Sequence, residues 1–387
     1  MPRQVVVTFA DRSLSRPPNG SPGPYLERGA SYGSTTWSRG ISGSLAKDHR
    51  LTLITEWPIL SLGVHCVVYA FDDSRTLTEV IGELGGDARV GTAQAMATFH
   101  VLAADPYQPL QTSFRGMNAE RARQLATGRG VSIAIVDTGV DLRHPDLAGQ
   151  IASHLDLAKA PRDLAFNDDI HGTAVAGVIG ALAGNGQGIV GMAPDARLYA
   201  LRACWPLKPG EPGAICNSLS LATALDAAIR LQPRIINLSL TGPADPLIQS
   251  LLRQALARQI VVVIAEPPAG ERPSGFASGL DAVIRVRMAG QASAADETEE
   301  VVAAPGHEVL TTFPRGSYNF ISGGSFAAAN VSGLVALLLE LKPGLDAAAI
   351  HDALRAGLIG GAGGSSDGVD ACAVIASLRL PKRCAAA

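Results

Sequence analysis

The chain carries little charge and few aromatic side chains. Of its 387 residues, 17% are Asp, Glu, Lys or Arg and 5% are Phe, Trp or Tyr, where about 25% charged is usual. Lys plus Arg number 32 against 35 Asp plus Glu, for a net charge of −3. Without a strong basic excess to hold a phosphate backbone, nucleic acid is excluded as an expected partner. Long apolar runs are lacking too. The strongest, Ile260–Ala265 and Leu334–Leu339, fall far short of the roughly 18 residues a membrane span needs. No apolar stretch follows the charge of Met1-Pro-Arg-Gln-Val-Val-Val, so no secretory signal is read there. No Cys-x-x-Cys occurs, which argues against a zinc cluster or a thioredoxin-type redox site.

Glycine, by contrast, is plentiful at 42 residues, and 47% of the chain is apolar. That combination predicts a large, closely packed core with many tight turns and excludes a disordered chain. Length divided by a typical domain of roughly 150 residues gives two to three domains. The five cysteines are Cys66, Cys204, Cys216, Cys372 and Cys384, an odd number. Cys204/Cys216 and Cys372/Cys384 are each twelve positions apart, so each pair could close a short loop in an oxidising compartment. The competing reading is five small buried hydrophobes.

The first hundred or so residues read differently from the rest. Strand candidates at Val5–Phe9, Leu51–Trp57, Val64–Phe71 and Met96–Leu102 alternate with helix candidates at Ser38–His49 and Thr76–Leu84. A turn-rich stretch, Arg16–Pro24, follows the first strand. The order β-α-β-β-α-β is that of a small split β-α-β module. From about Gly128 the pattern changes to buried strands alternating with helices. Val131–Val136, Leu198–Ala203, Ile235–Leu240 and Ile260–Ala265 read as strands, and His171–Ala183, Leu219–Leu231, Leu247–Arg258 and Phe326–Leu341 as helices. The expected fold is α/β, a parallel sheet flanked by helices.

Three segments could carry chemistry together. Asp137-Thr-Gly-Val-Asp141 ends the first buried strand, where open α/β sheets place their sites. His171-Gly-Thr-Ala-Val-Ala-Gly177 opens a helix, and Ser325 of Gly323-Gly-Ser-Phe-Ala-Ala-Ala329 starts another. Each alone reads as a turn or a helix cap. Taken together they give an acid, a base and a nucleophile in the order Asp, His, Ser, one of the arrangements of a serine hydrolase triad.

These segments make the chain resemble the subtilases, the subtilisin-like serine proteases. Asp137-Thr-Gly and His144-Pro-Asp-Leu147 match the family's aspartate region, His171-Gly-Thr its histidine region and Gly324-Ser325-Phe-Ala its serine region. Gly188-Ile-Val-Gly-Met-Ala-Pro194 and Asn237-Leu-Ser-Leu240 match two further segments. The resemblance implies a subtilisin-like peptidase domain over 105–387, with a small ferredoxin-like α+β prodomain over 1–104 that inhibits and assists folding. Cleavage between them would fall near Leu102–Gln108. The same resemblance implies that Ser239, Leu240, Thr241 and Gly242 bind the substrate backbone as an added strand. Thr241 stands where the family usually has glycine. No cofactor is implied for catalysis. Asp146 and Asn185 match two ligands of a structural calcium site, for which six to eight oxygens are needed. Peptides or proteins are the implied substrates, and with the paired cysteines the family favours an extracytoplasmic location.

One family element is missing. The asparagine that stabilises the oxyanion normally follows the strand that here reads Ile260-Val-Val-Val-Ile-Ala-Glu-Pro-Pro-Ala-Gly270. Its position falls on or next to Pro268, and proline cannot donate. Loss of one such donor costs about 100- to 1000-fold in rate. The main alternative is therefore a catalytically impaired subtilase-fold binding protein. An aspartic protease built on Asp137-Thr-Gly would require two facing carboxylates, and there is one Asp-Thr-Gly. The acidic run Asp296–Glu300 is expected to be a solvated loop.

Overall fold

A computed structural model describes residues 3–11, 35–72, 74–97, 105–158, 165–267, 273–290, 301–360, 366–380 and 384. The turn-rich stretch Arg16–Pro24, residues 102–104 of the expected cleavage region, residues 268–272 with Pro268, and Asp296–Glu300 lie outside them. The chain forms two compact units, Met1–Val101 and Leu102–Ala387.

The first unit contains β1 (Gln4–Ala10), α1 (Thr36–Asp48), β2 (Thr52–Ile59), β3 (Val64–Ala70), α2 (Leu77–Gly85) and β4 (Thr92–Ala95). Its four strands form a sheet in the order β2-β3-β1-β4. Alternate residues of β1, Val5, Val7 and Phe9, are buried against Leu45 of α1 and Val80 and Leu84 of α2, the period-2 pattern of a one-sided sheet. The expected strand Met96–Leu102 lies, from residue 98 on, outside the described residues, and the strand seen is the preceding Thr92–Ala95. Thr-Ala-Gln-Ala has weak strand propensity, yet its pairing with β1, from Val5 against Ala95 to Thr8 against Thr92, fixes it there.

The second unit begins with two short helices, α3 (Thr112–Gly116) and α4 (Ala119–Arg123). Then come β5 (Ser132–Asp137), β6 (Ile151–Asp156), α5 (Ile170–Gly180) and β7 (Arg197–Arg202). A hairpin of β8 (Cys204–Pro206) and β9 (Ala214–Cys216) precedes α6 (Ser218–Leu231), β10 (Ile235–Leu238), α7 (Pro246–Ala257) and β11 (Val261–Ala265). The remainder is β12 (Ile284–Met288), β13 (Val301–Ala304), the hairpin β14 (Val309–Phe313) and β15 (Ser317–Ile321), α8 (Gly324–Leu341), α9 (Ala347–Ala356), β16 (Leu358–Gly360), β17 (Ser366–Val369) and α10 (Ala371–Ser377).

Seven of these strands form one sheet in the order β13-β12-β11-β10-β5-β7-β6, and every neighbouring pair in it is parallel. This is the α/β architecture expected from the alternation of apolar strands and helices. Ile133 and Ile135 of β5 face a core shared with α5 and α8. Ala134 and Val136 face the opposite core, with α6 and α7. Both faces are covered, which is why these strands read as unbroken apolar runs. The chain turns to opposite sides of the sheet after β5, so β5 and β10 flank the switch point where α/β sheets open a crevice at their carboxyl ends. Asp137 ends β5 there, and Ser239 follows β10.

The small residues of α5 and α8 admit more than the partner helix. The two helices do meet, but their glycines mostly admit other neighbours. A Cβ on Gly177 would lie 2.7 Å from Thr311 Oγ1 and within 2.2 Å of Thr312 Oγ1, and one on Gly333 2.5 Å from Met192 Cβ. Both hydroxyls donate to helix carbonyls, Thr311 to Ala174 and Thr312 to Thr173, each at 2.7 Å. Glycine therefore lets the β14 hairpin seat directly on α5. Among the described residues only α8 is long and apolar enough to cross a membrane, and it is the buried central helix of this core.

Candidate active site

Asp137, His171 and Ser325 line a single cleft of about 650 Å³ at the carboxyl end of the sheet. Asp137 is almost fully buried, and its Oδ1 lies 2.7 Å from His171 Nδ1. The same oxygen accepts the Thr138 backbone N–H at 2.7 Å. Loop and helix interlock around this contact. Gly172 N–H donates to Thr138 Oγ1 at 2.9 Å, and Asp141 N–H donates to Thr173 Oγ1 at 2.9 Å. Glycine at 172 is required sterically, because a Cβ there would sit 2.5 Å from the Gly139 carbonyl oxygen. His171 also lies 5.6 Å from Phe326, centroid to centroid. Burial is the largest single influence on the ring and disfavours its charged form. The charge and hydrogen bond of Asp137 together outweigh it, so the pKa is raised above 6.5.

Ser325 is the second residue of α8, where backbone N–H groups have no intrahelical acceptor. Its hydroxyl donates to the Ser239 carbonyl at 3.0 Å, and Ser239 Oγ donates to the Ser325 carbonyl at 3.0 Å. Behind them Ser332 Oγ donates to Asn237 Oδ1 at 2.8 Å and Asn237 Nδ2 to Ser239 Oγ at 2.9 Å. This buried chain ties the end of β10 to α8. Ser239, Leu240, Thr241 and Gly242 all line the cleft.

Gly213–Ser218 and Cys204 also line the cleft. Cys204 and Cys216 are joined by a disulfide across the β8–β9 hairpin, with Cα atoms 4.3 Å apart. A second disulfide joins Cys372 to Cys384. The sequence left paired and free cysteines open. Both twelve-residue pairs are bonded, and Cys66 is free and buried in the first unit, where burial pushes its thiol pKa up.

Where Ala265 and Glu266 lead out of β11, Glu266 accepts from buried Arg285 and, at 2.9 Å, from the Ser274 N–H. A second buried cation, Arg202 at the end of β7, pairs with Asp169 and Asp156 at 2.9 Å each. Sequence reasoning missed both ion pairs. Their signal is a charged residue within or ending an apolar strand, since burial of a lone charge is prohibitive.

The residues matching a calcium site do not form a cation cradle. Asp146 Oδ1 accepts from Asn185 Nδ2 at 2.8 Å, and Oδ2 accepts the Ile189 N–H at 2.9 Å. Asn185 thus turns its donor, not its oxygen, to the carboxylate, and its Oδ1 takes the Gln187 N–H at 2.8 Å. Tyr318 adds a hydroxyl hydrogen bond to Asp146; burial first, then the Asp146 charge, pushes the phenol pKa up. The Gly188 carbonyl accepts the Tyr107 N–H at 2.7 Å. With these oxygens committed to protein donors, the site does not fit the six to eight oxygen ligands that calcium takes. No group of three His, Cys, Asp or Glu suited to a metal occurs among the described residues.

Comparison with known proteins agrees with this fold. A family model described as the Subtilase family matches residues 128–367. The chain belongs to the subtilase family of serine proteases. Thermitase of Thermoactinomyces vulgaris is 32% identical over 244 residues, 60% of this chain and 84% of that protein. An intracellular serine protease of Paenibacillus polymyxa is 33% identical over 55% of this chain and 68% of its own length. Subtilisin E of Bacillus subtilis is 31% identical over 59% and 60%. A solved protease of Pseudoalteromonas arctica shares the fold with a TM-score of 0.58 at 24% identity, covering 72% of this chain and 99% of that one.

Proposed function

We propose that the protein is a serine endopeptidase that cleaves peptide bonds through Asp137, His171 and Ser325. The observation that carries this reading is the 2.7 Å Asp137–His171 bond in one cleft with Ser325 at a helix start. A serine hydroxyl needs a base to take its proton as it attacks a carbonyl carbon. Rotation of Ser325 away from Ser239 gives that proton to His171, whose charge Asp137 then balances. The attack forms a tetrahedral oxyanion, favoured by the Ser325 N–H and the positive end of α8. Collapse expels the amine, protonated by His171, and leaves an acyl-serine. Water, activated by the same histidine, releases the acid and restores the hydroxyl.

Ser239–Gly242 holds the substrate backbone as an added strand. Residues 1–104 act as an inhibitory prodomain of a zymogen, and 105–387 form the peptidase. The disulfides fit an extracytoplasmic protein. A fluorophosphonate probe should label wild type and not Ser325→Ala; equal labelling of both overturns the assignment. Intact-mass and N-terminal analysis of the purified protein should find a cut near Leu102–Gln108.

A second reading is favoured by one feature, the absence of an asparagine from Ile260–Gly270. A chain that keeps the triad but lacks that donor would bind peptides with little turnover. Uncut protein after long incubation, together with peptide binding and no hydrolysis, would favour it.

A further inference from the structure

Arg202 is the largest fully buried side chain among the described residues. A guanidinium leaves water only where partners hold it, because the desolvation cost is large. Its place explains why it is kept. In the parallel register Arg202 stands beside Asp137 on one side and Asp156 on the other, so it occupies the rung next to the acid of the triad. Its Nε lies 2.9 Å from Asp169 Oδ2, and its Nη1 2.9 Å from Asp156 Oδ2.

Asp169 is the residue immediately before α5, two positions ahead of His171, and is almost fully buried. The oxygen that faces Arg202 also accepts the Gly139 N–H at 2.7 Å. Gly139 lies two residues beyond Asp137. A Cβ on it would come 2.9 Å from that same carboxylate oxygen, so only glycine permits the approach. Asp169 therefore grips the loop that carries the acid while sitting at the base of the helix that carries the base.

We propose that Arg202 and Asp169 are the positioning pair of this active site, holding the Asp137 loop against the His171 helix through the Gly139 N–H. The inference rests on the protease reading above. Burial, helped by the Asp137 charge, pushes the Asp169 carboxyl up, against the Gly139 bond and Arg202. Arg202 is thus the one charge that opposes this rise beside a second acid. Other charged or titratable groups on the packed elements are Asp141, His144 and Asp146 beyond β5, Arg197 and Tyr199 of β7, His154 of β6, and Asp168 with Arg315. From α8 the only one is Glu340, near its far end.

The test is the pH profile of kcat/KM, measured per active site titrated with a fluorophosphonate. Asp169→Asn keeps an oxygen for Gly139 but removes one negative charge and leaves Arg202 partly uncompensated. Both changes disfavour a charged His171. The acid limb should move down by about half a pH unit, and kcat should fall about tenfold as the Asp137–His171 alignment loosens. Arg202→Lys keeps the charge but not the fork. Its acid limb should stay at the wild-type pH while kcat per titrated site falls severalfold. An Asp169→Asn profile superimposable on wild type overturns the positioning pair while leaving the protease intact. If that variant does not fold, an unchanged kcat in Arg202→Lys overturns it equally. Wild type that neither labels nor turns over overturns the protease reading, and this inference with it.

Discussion

Ser239 and Ser325 are bonded twice, each hydroxyl donating to the other's backbone carbonyl at 3.0 Å. The segment proposed to hold substrate and the residue proposed to attack it are thereby one unit. Ser239→Ala removes the hydroxyl that anchors the start of α8 and leaves Asn237 Nδ2 without its acceptor. We expect a loss of about 1–2 kcal/mol in urea unfolding and a severalfold lower kcat. Wild-type values for both would remove the anchoring role.

The raised His171 pKa fixes two pH trends of opposite sense. As base the ring must be neutral, so kcat/KM should rise with pH, with its acid limb centred above 6.5. Stability should run the other way in Ser325→Ala, which cannot digest itself. A folded-state value raised above the unfolded one gives a stabilisation complete below 6.5, lost as pH rises through the folded value. His171→Ala in the same background should abolish that part of the slope. An acid limb centred below 6.5 would contradict the assignment.

Gly177→Ala tests the seating of the β14 hairpin on α5. The new methyl would press on Thr311 and Thr312, both hydrogen-bonded to helix carbonyls. The expected cost is about 1–3 kcal/mol from overpacking, read in chemical unfolding. A neutral or stabilised variant would mean the hairpin can move aside.

The loop at Gly184–Ile189 should hold without metal. Excess EDTA or added calcium should shift the melting temperature by less than about 1 °C. Tyr318→Phe, which deletes one donor to buried Asp146, should cost about 1 kcal/mol. Calcium raising the melting temperature by many degrees would overturn the protein-only account.

Much of this architecture is legible in the residues themselves. β5, β10 and β11 read as strands because both their faces are buried, and the residues around Asp137, His171 and Ser325 are distinctive in type and order. Other parts are set by partners far along the chain. β6, Ile-Ala-Ser-His-Leu-Asp, is a half-exposed edge strand with no continuous apolar run, defined only by its pairing with β7. Tyr318 reaches Asp146 from far along the chain, a match no local pattern encodes. The donors around Asp146 and Asn185 are hidden for the same reason, since ligand types can be read from sequence but the groups that bond to them cannot.

The burial of α8 has a consequence in time. It packs against α5, β5, β10, β11, β12 and β13, all of which precede it in the chain. Long-range contacts of this kind form late, because loop closure must be met before they reward it. Ser325 can reach the cleft only when that assembly is nearly complete. On the proposed mechanism, a half-folded chain has no nucleophile in place, and the newly made protein would be spared its own chemistry until its core has closed.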